Sequence, residues 1–340
     1  MEQALRVAVF GATGYTGIEL LRSLLSHPYV EIKNLISQTY KGKKVKEVLP
    51  FLGNTYISEL EFTDKPYEDY ELAFLCLPHE VSYDLAPQLL SEGKKVIDLS
   101  GAYRIKRREV YGEFYGFEHE REDVLREAVY GLPEIFREEI KKSKLVANPG
   151  CYPTATLLAL YPFLKEGLSV ENVIVHALSG VSGAGRKPKQ HFHFPEMTEN
   201  FFNYGVEKHR HTPEMEDVIR NLTGKEIRIR FTPTVVPASR GMIATVYLKS
   251  DRVNVKELFE ETYKSEIFVR ILDSPPHTKW VLGTNYCLIY PHYDKRTDTY
   301  VIISCIDNLG KGASLQAVQN MNVMFGFEED AGLFYTPLFP

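Results

Sequence analysis

The residues best placed for chemistry begin with a thiol. Cys151 stands in the run Asn148-Pro149-Gly150-Cys151-Tyr152-Pro153-Thr154. The apolar stretch Lys144-Leu145-Val146-Ala147 reads as a strand before it. After it, Ala155, Leu157, Leu158, Leu160, Tyr161, Phe163 and Leu164 recur at helix spacing. Gly150 permits a sharp turn, and Pro153 falls in a first helical turn, where a missing N–H costs nothing. Cys151 is therefore expected against unbonded N–H groups at the positive end of a helix dipole, a setting that populates a thiolate near neutral pH. The chemistry is that of a covalent nucleophile. A buried structural cysteine is the competing reading.

A second cluster, His209-Arg210-His211-Thr212-Pro213-Glu214, puts two imidazoles beside a cation, which suits an acid/base and an anion clamp. Its Thr-Pro-Glu can open a helix over 216–221. A zinc site would draw on His191, His193, His209 and His211, but no cysteine or acid lies at matching ligand spacing, so no metal is expected. A third stretch, Ser179-Gly180-Val181-Ser182-Gly183-Ala184-Gly185-Arg186, is a glycine loop closing on a cation, and such loops cradle anions. Ser182 and Gly183 are candidate cofactor contacts, and Arg186 and Arg210 candidate substrate contacts.

The elements that must position these groups divide the chain in two. Val7-Ala8-Val9-Phe10 is a strand, followed by Gly11-Ala12-Thr13-Gly14-Tyr15-Thr16-Gly17. An amphipathic helix (Ile18, Leu20, Leu21, Leu24, Leu25) and a second strand over 30–36 come next. Strand, glycine turn, helix and strand in this order make a dinucleotide site, with a pyrophosphate on the helix N-terminus. Gly11, Thr13, Gly14, Tyr15, Thr16 and Gly17 are its candidate contacts. The second strand ends in Ser37-Gln38-Thr39-Tyr40-Lys41-Gly42-Lys43-Lys44, with no acid for ribose hydroxyls. Ser37, Thr39 and Lys41 suit a 2′-phosphate, and the cofactor is read as NADP(H) rather than NAD. Strands over 72–78 and 95–101 follow, and ligands gather at the carboxyl ends of such strands. Pro78 and Ser100 are therefore cofactor-side, and Arg104 could hold a phosphate or a carboxylate. Residues 130–134 read as a loop.

The second half changes pattern. Strands over 173–178, 228–236, 241–248 and 299–306, with a helix over 255–264, suggest an α+β domain with a largely antiparallel sheet. Asn308 could donate its amide to a carboxamide, and Leu315, Val318, Met321, Asn322 and Phe325 share one helix face. The fold class is thus a Rossmann-type α/β domain over 1–150 and an α+β catalytic domain over 151–310. A helix at about 311–330 packs back on the first. A length of 340 residues suits two domains. The net charge of −5 offers no basic surface for nucleic acid. Cys76, Cys151, Cys287 and Cys305 form no CxxC, and no apolar run reaches membrane-span length. The sequence enters its first strand directly, without a signal segment, and a cytoplasmic protein is expected.

Together a nicotinamide site, a thiol and an imidazole define a reaction class. The thiolate makes a thioester, hydride passes between its carbon and NADP(H), phosphate is the other substrate or product, and arginines neutralise the anions. The motifs at 11–17, 148–154, 179–186 and 209–214, with Gln316-Ala317-Val318-Gln319-Asn320-Met321-Asn322, span nearly the whole chain. In that order they closely resemble the N-acetyl-gamma-glutamyl-phosphate reductases of the aspartate-semialdehyde dehydrogenase superfamily. The resemblance implies NADPH-dependent reduction of N-acetyl-glutamyl 5-phosphate to the semialdehyde, in arginine biosynthesis. It implies Cys151 as nucleophile and one histidine of the pair as acid/base, His209 by preference, with His211 as an orienting or substrate contact. It places Asn148 and Arg104 with the substrate, and implies a homodimer or homotetramer. The family often has Ala-Asp-Phe-Arg where this chain has Gly101-Ala102-Tyr103-Arg104; the arginine is kept and the acid is not. The rival substrate is an aminoadipyl phosphate of lysine biosynthesis, since one methylene changes discrimination by only about 1–3 kcal/mol. A non-enzymatic NADP-binding sensor on the same fold is the remote alternative.

Overall fold

The computed structural model describes residues 4–339. Met1, Glu2 and Gln3, which the sequence reading runs into the first strand, lie outside the described residues, as does Pro340. Contacts divide the chain into two units. One comprises Met1–Arg104, Asp123–Asn148 and Ser314–Leu333; the other comprises Ile105–Glu122, Pro149–Ala313 and Phe334–Pro340.

The first unit is built on strands β1 (Leu5–Phe10), β2 (Val30–Ile36), β3 (Phe62–Thr63), β4 (Leu72–Leu75), β5 (Lys95–Asp98), β6 (Val129–Tyr130) and β7 (Leu145–Ala147). They form one sheet in the order β3-β2-β1-β4-β5-β7-β6, parallel at every pairing. Val7, Ala8, Val9, Leu72, Ala73, Phe74, Leu75, Val96 and Ile97 are fully buried, as expected of parallel strands covered on both faces. Strand order reverses between β1 and β4, and the crevice at such a switch point is where α/β sheets take their ligands. The 130–134 loop shrinks to Gly131 and Leu132, because β6 takes Tyr130 and a helix starts at Pro133. The C-terminal helix Leu315–Phe325 belongs to this unit, and Gly326 in the left-handed region (φ 73°) ends it. Its amides are buried and bonded: Asn320 Nδ2 donates to the Gly131 carbonyl (2.8 Å) and to Asn148 Oδ1 (2.9 Å). Such bonds offset much of the cost of burying these polar groups.

The second unit holds β8 (Glu171–Gly180), β9 (Phe202–Asn203), β10 (Ile229–Val236), β11 (Met242–Lys249), β12 (Val269–Ile271), β13 (Cys287–Asp294) and β14 (Thr299–Ile306), in the order β12-β13-β14-β11-β8-β10-β9. The sheet is mixed. The β8–β11, β11–β14, β13–β14 and β9–β10 pairs are antiparallel, while β8–β10 and β12–β13 are parallel. Strand β13 escapes a reading by pattern because Pro291 interrupts it. Pro291 is tolerated because β12 has already ended, its last partner being Ile289, so the missing N–H falls on an open edge. Helices Cys151–Lys165 and Val255–Tyr263 cover one face, and Ile174, His176 and Tyr247 point outward from the other. Among the described residues no helix is long and apolar enough to cross a membrane.

Candidate active site

Cys151 is the first residue of helix Cys151–Lys165, half-buried, with Gly150 as N-cap. No side chain caps that terminus and no acid occupies its first turn, so the helix N–H groups there remain available to an anion. The preceding N–H, that of Gly150, donates to Glu214 Oε1 at 2.8 Å. A Cβ on Gly150 would lie 2.5 Å from His211 Nε2, so only glycine lets that imidazole come so close to the residue before the thiol. Gly312 plays a similar part on another side, since its Cβ would lie 2.8 Å from Cys151 Cβ.

These groups share a cavity of about 420 Å³ lined by Cys151, Tyr152, Tyr204, His209, Arg210 and His211, with Ser179, Gly183, Phe114, Lys189 and Lys208 among its other walls. Phe114 comes from the segment between Ile105 and Glu122. Arg107 Nε meets the buried Asp217 at 3.2 Å, and the Tyr115 hydroxyl donates to the Arg210 carbonyl (3.3 Å), which moor that wall. The other thiols sit differently. Burial pushes Cys76 up to about 12 and raises Cys305 as well, and Cys287 is buried in the second sheet.

The two histidines are not equivalent. His211 opens helix His211–Thr223, longer than the sequence suggested, and is buried. His209 lies edge-on to Tyr152, Tyr204 and Phe231, with centroids 5.8, 5.4 and 5.1 Å away. Its Nδ1 accepts the His211 backbone N–H at 3.1 Å. Burial in this aromatic surround, then the neighbouring Arg210 charge, pull its pKa down to about 4. His209 is thus a neutral ring whose remaining hydrogen is on Nε2. Tyr204 and Tyr152 meet hydroxyl to hydroxyl at 3.2 Å. Burial lifts Tyr204 to about 12 and raises Tyr152 too, so both stay protonated and able to donate.

The glycine loop is more committed than its composition suggests. The N–H groups of Gly180, Val181, Ser182 and Gly185 all bond backbone carbonyls, and Val181–Ala184 closes into a 3-10 turn of its own, which leaves the loop little open backbone to cradle an anion; Gly183 and Ala184 lie on the cavity wall. Asn308 holds this loop: its Nδ2 donates to Ser182 Oγ (2.9 Å) and its Oδ1 accepts the Gly241 N–H (2.8 Å). Both ends of the amide thus brace the loop. Asp307 beside it is fully buried and binds Arg240 Nη2 at 2.7 Å and the Leu309 N–H at 3.0 Å. Asp307→Ala is expected to cost about 3–5 kcal/mol by stranding these donors, read as a fall in thermal midpoint by differential scanning calorimetry. Arg186 is exposed and is not part of the cavity wall.

In the first unit, Arg104 is buried and directs Nε to the Asn148 carbonyl (2.7 Å) and Nη2 to the Leu99 carbonyl (2.8 Å). Asn148 also gives its N–H to the Asp98 carbonyl. The pair buttresses the ends of β5 and β7, and the geometry favours that over direct substrate contact. Ser100 Oγ donates to Asp98 Oδ2 at 2.8 Å and accepts the Ala102 N–H, closing a tight turn, while Pro78 is the N-cap of helix His79–Ser91.

The dinucleotide turn fits its expected guest. Gly11 has φ 77°, and a Cβ there would strike the Cys76 carbonyl at 2.2 Å; one on Gly17 would lie 2.5 Å from the Gly11 carbonyl. Gly14 has open space apart from that carbonyl at 3.5 Å. Helix Tyr15–Leu24 has no side-chain cap and no acid in its first turn, and Tyr15 is 41% exposed. A phosphate can therefore reach the N–H groups around Thr16. Thr13 Oγ1 and Ser37 Oγ meet at 3.2 Å, Thr39 is exposed, and Lys41 pairs with Asp64 at 2.5 Å. Among the described residues no three His, Cys, Asp or Glu side chains are grouped to hold a metal ion.

The residues that pattern did not single out are Glu214 as acceptor for Gly150, Gly312 against the thiol, and Tyr204. Each acts through a partner distant in sequence, and only the Thr-Pro-Glu signature drew any notice to Glu214.

Two family models match. Residues 6–143 fit the semialdehyde dehydrogenase NAD binding domain, and residues 151–308 fit the semialdehyde dehydrogenase dimerisation domain. The chain is 78% identical over its full length, and that of the relative, to an N-acetyl-gamma-glutamyl-phosphate reductase of Aquifex aeolicus. It is 45% identical to one of Halothermothrix orenii, covering 99% of this chain and 100% of the relative. Among solved structures, aspartate semialdehyde dehydrogenase II from Vibrio cholerae superposes with a TM-score of 0.75 at 18% identity, over 96% of this chain and 99% of that one. An NADP-bound aspartate semialdehyde dehydrogenase from Candida albicans gives 0.72 at 15%, over 95% and 99%. At such identities the superpositions establish the fold.

Proposed function

The chain belongs to the N-acetyl-gamma-glutamyl-phosphate reductases, within the semialdehyde dehydrogenase family, and from that premise we propose how its cavity does the work. The enzyme reduces N-acetyl-L-glutamyl 5-phosphate to N-acetyl-L-glutamate 5-semialdehyde and phosphate with NADPH, in arginine biosynthesis. The observation that carries the mechanism is the meeting of the Cys151 helix start with His211 at Gly150.

The Cys151 thiolate adds to the acyl carbon, and the C–O bond to phosphorus gives its electron pair to the departing phosphate. The open helix N-terminus favours the thiolate, and Arg210 on the cavity wall favours the phosphate. NADPH, held by Gly11, Thr13, Gly14 and Gly17 with Ser37, Thr39 and Lys41 toward its 2′-phosphate, supplies the hydride when bound. His211 gives a proton to the reduced acyl oxygen and takes it back as the C–S bond breaks, which returns the thiolate. His209, neutral and bonded to the His211 N–H, holds the acid/base in place. This reverses the preference the sequence suggested within the pair.

We place the enzyme in the cytoplasm as a homodimer or homotetramer. A dimerisation domain over 151–308 and the outward Ile174 and Tyr247 of the second sheet support self-association. Phosphate-dependent reduction of NADP by N-acetyl-glutamate semialdehyde, run beside the aminoadipate analogue, tests the reading. A preference for the glutamate compound of about 10–200-fold in kcat/KM is expected for a one-methylene difference. Equal rates, or a preference for the longer chain, would overturn the arginine assignment.

A further inference from the structure

We propose that Glu214 is a positioning residue whose negative charge sets the pH range in which the Cys151–His211 pair works. The inference rests on Cys151 being the nucleophile. His211 and Glu214 are three residues apart, on one face of the first turn of helix His211–Thr223. Both close on the same backbone unit. Glu214 Oε1 takes the Gly150 N–H at 2.8 Å, and the His211 ring fills the space where Gly150 lacks a Cβ. One helical turn thus grips the N-cap of the thiol helix twice, immediately before Cys151.

The carboxylate is fully buried, and a charge removed from water needs a reason and a partner. Its partner is a backbone N–H at a helix start, which welcomes negative charge. Its consequence reaches the neighbours. A carboxylate at that terminus opposes a thiolate at the same terminus and favours an imidazolium beside it. Other groups facing this corner are Arg210, His209, Lys208 and the Tyr152 and Tyr204 hydroxyls. Farther along the helix, Glu216 is paired with Arg228 and Asp217 with Arg107. Removing the Glu214 charge therefore lowers the titrations of the thiol and of the imidazole together.

Glu214→Gln keeps the shape and an oxygen for the Gly150 N–H but removes the charge; Glu214→Ala removes both. The readouts are the pH dependence of Cys151 alkylation by iodoacetamide, followed by the mass of its peptide, and the pH profile of kcat. Glu214→Gln is expected to move the alkylation midpoint and the basic limb of kcat to lower pH by about one unit, with optimal kcat within about tenfold of the parent. Glu214→Ala is expected to lose about a hundredfold in kcat with KM for the acyl phosphate nearly unchanged. A Glu214→Gln midpoint equal to the parent's, or a Glu214→Ala enzyme with parental kcat, would overturn the proposal. Should the alanine variant fail to fold, the isosteric glutamine variant decides alone. Alkylation needs neither acyl phosphate nor turnover, so it remains readable even if the assigned reaction proves wrong.

Discussion

Replacing Cys151 by serine stops turnover: kcat with N-acetyl-glutamyl 5-phosphate falls at least about a thousandfold, while NADPH binding is retained. The size follows from what serine cannot supply. Its hydroxyl would occupy the same helix start, but it stays un-ionised near neutral pH and is a much weaker nucleophile than a thiolate, so no covalent acyl intermediate accumulates. The remaining thiols offer no substitute. Cys76 is pushed up to about 12 by burial, and Cys287 and Cys305 are buried. None of those three lines the cavity. Two measurements separate chemistry from folding. Fluorescence titration with NADPH should give an unchanged dissociation constant, because the glycine turn at Gly11 belongs to the other unit. Mass spectrometry after mixing with acyl phosphate alone should show an acylated Cys151 peptide in the parent and none in the variant. Turnover within tenfold of the parent would remove the thioester from the mechanism.

What could be read in advance divides by the range of the interactions involved. The β1–glycine turn–helix unit and the strand–Gly150-Cys151–helix unit are local. Each is specified by neighbours within about fifteen residues, through periodicity, turn chemistry and the tolerance of a first helical turn for proline. Their existence and placement were therefore legible. The roles of the polar side chains were less so. Arg104, Asn148 and Asn308 have the chemistry of ligand contacts, yet in the fold they bond backbone groups and neighbouring side chains at strand ends and loops. A sequence lists what a side chain can bond, whereas the buried backbone groups that compete for it appear only once distant segments meet. The same holds for the second sheet. Its antiparallel core followed from alternation, but β8–β10 and β12–β13 run parallel because of connections that no residue pattern announces.

The histidine pair shows that limit most sharply, and it yields the last expected result. His211→Asn should lower kcat by about a hundredfold to ten-thousandfold, the usual worth of general acid/base catalysis, whereas His209→Asn should lower it by no more than about tenfold. The sequence places both imidazoles equally near a cation; the fold spends one of them. His209 Nδ1 is committed to the His211 N–H, and its depressed pKa of about 4 keeps it uncharged at neutral pH, where the Nε2 hydrogen it retains is too weakly acidic to transfer to an acyl oxygen. Asparagine at 209 can replace that acceptor with its own carbonyl oxygen, which readily bonds a backbone N–H two residues on. Asparagine at 211 cannot move a proton at all. A pH series adds an independent check of sign. Native His209 takes up its proton only near pH 4, while the unfolded chain does so near 6.5. Protons are therefore absorbed on unfolding, and His209 makes stability fall as pH drops from about 6.5 toward 4. His209→Asn removes that contribution, so the thermal midpoint should decline less steeply over this interval than in the parent. Kinetic losses in the reverse order, large at 209 and small at 211, would return the acid/base role to His209 and leave its commitment to the helix start without a catalytic reason.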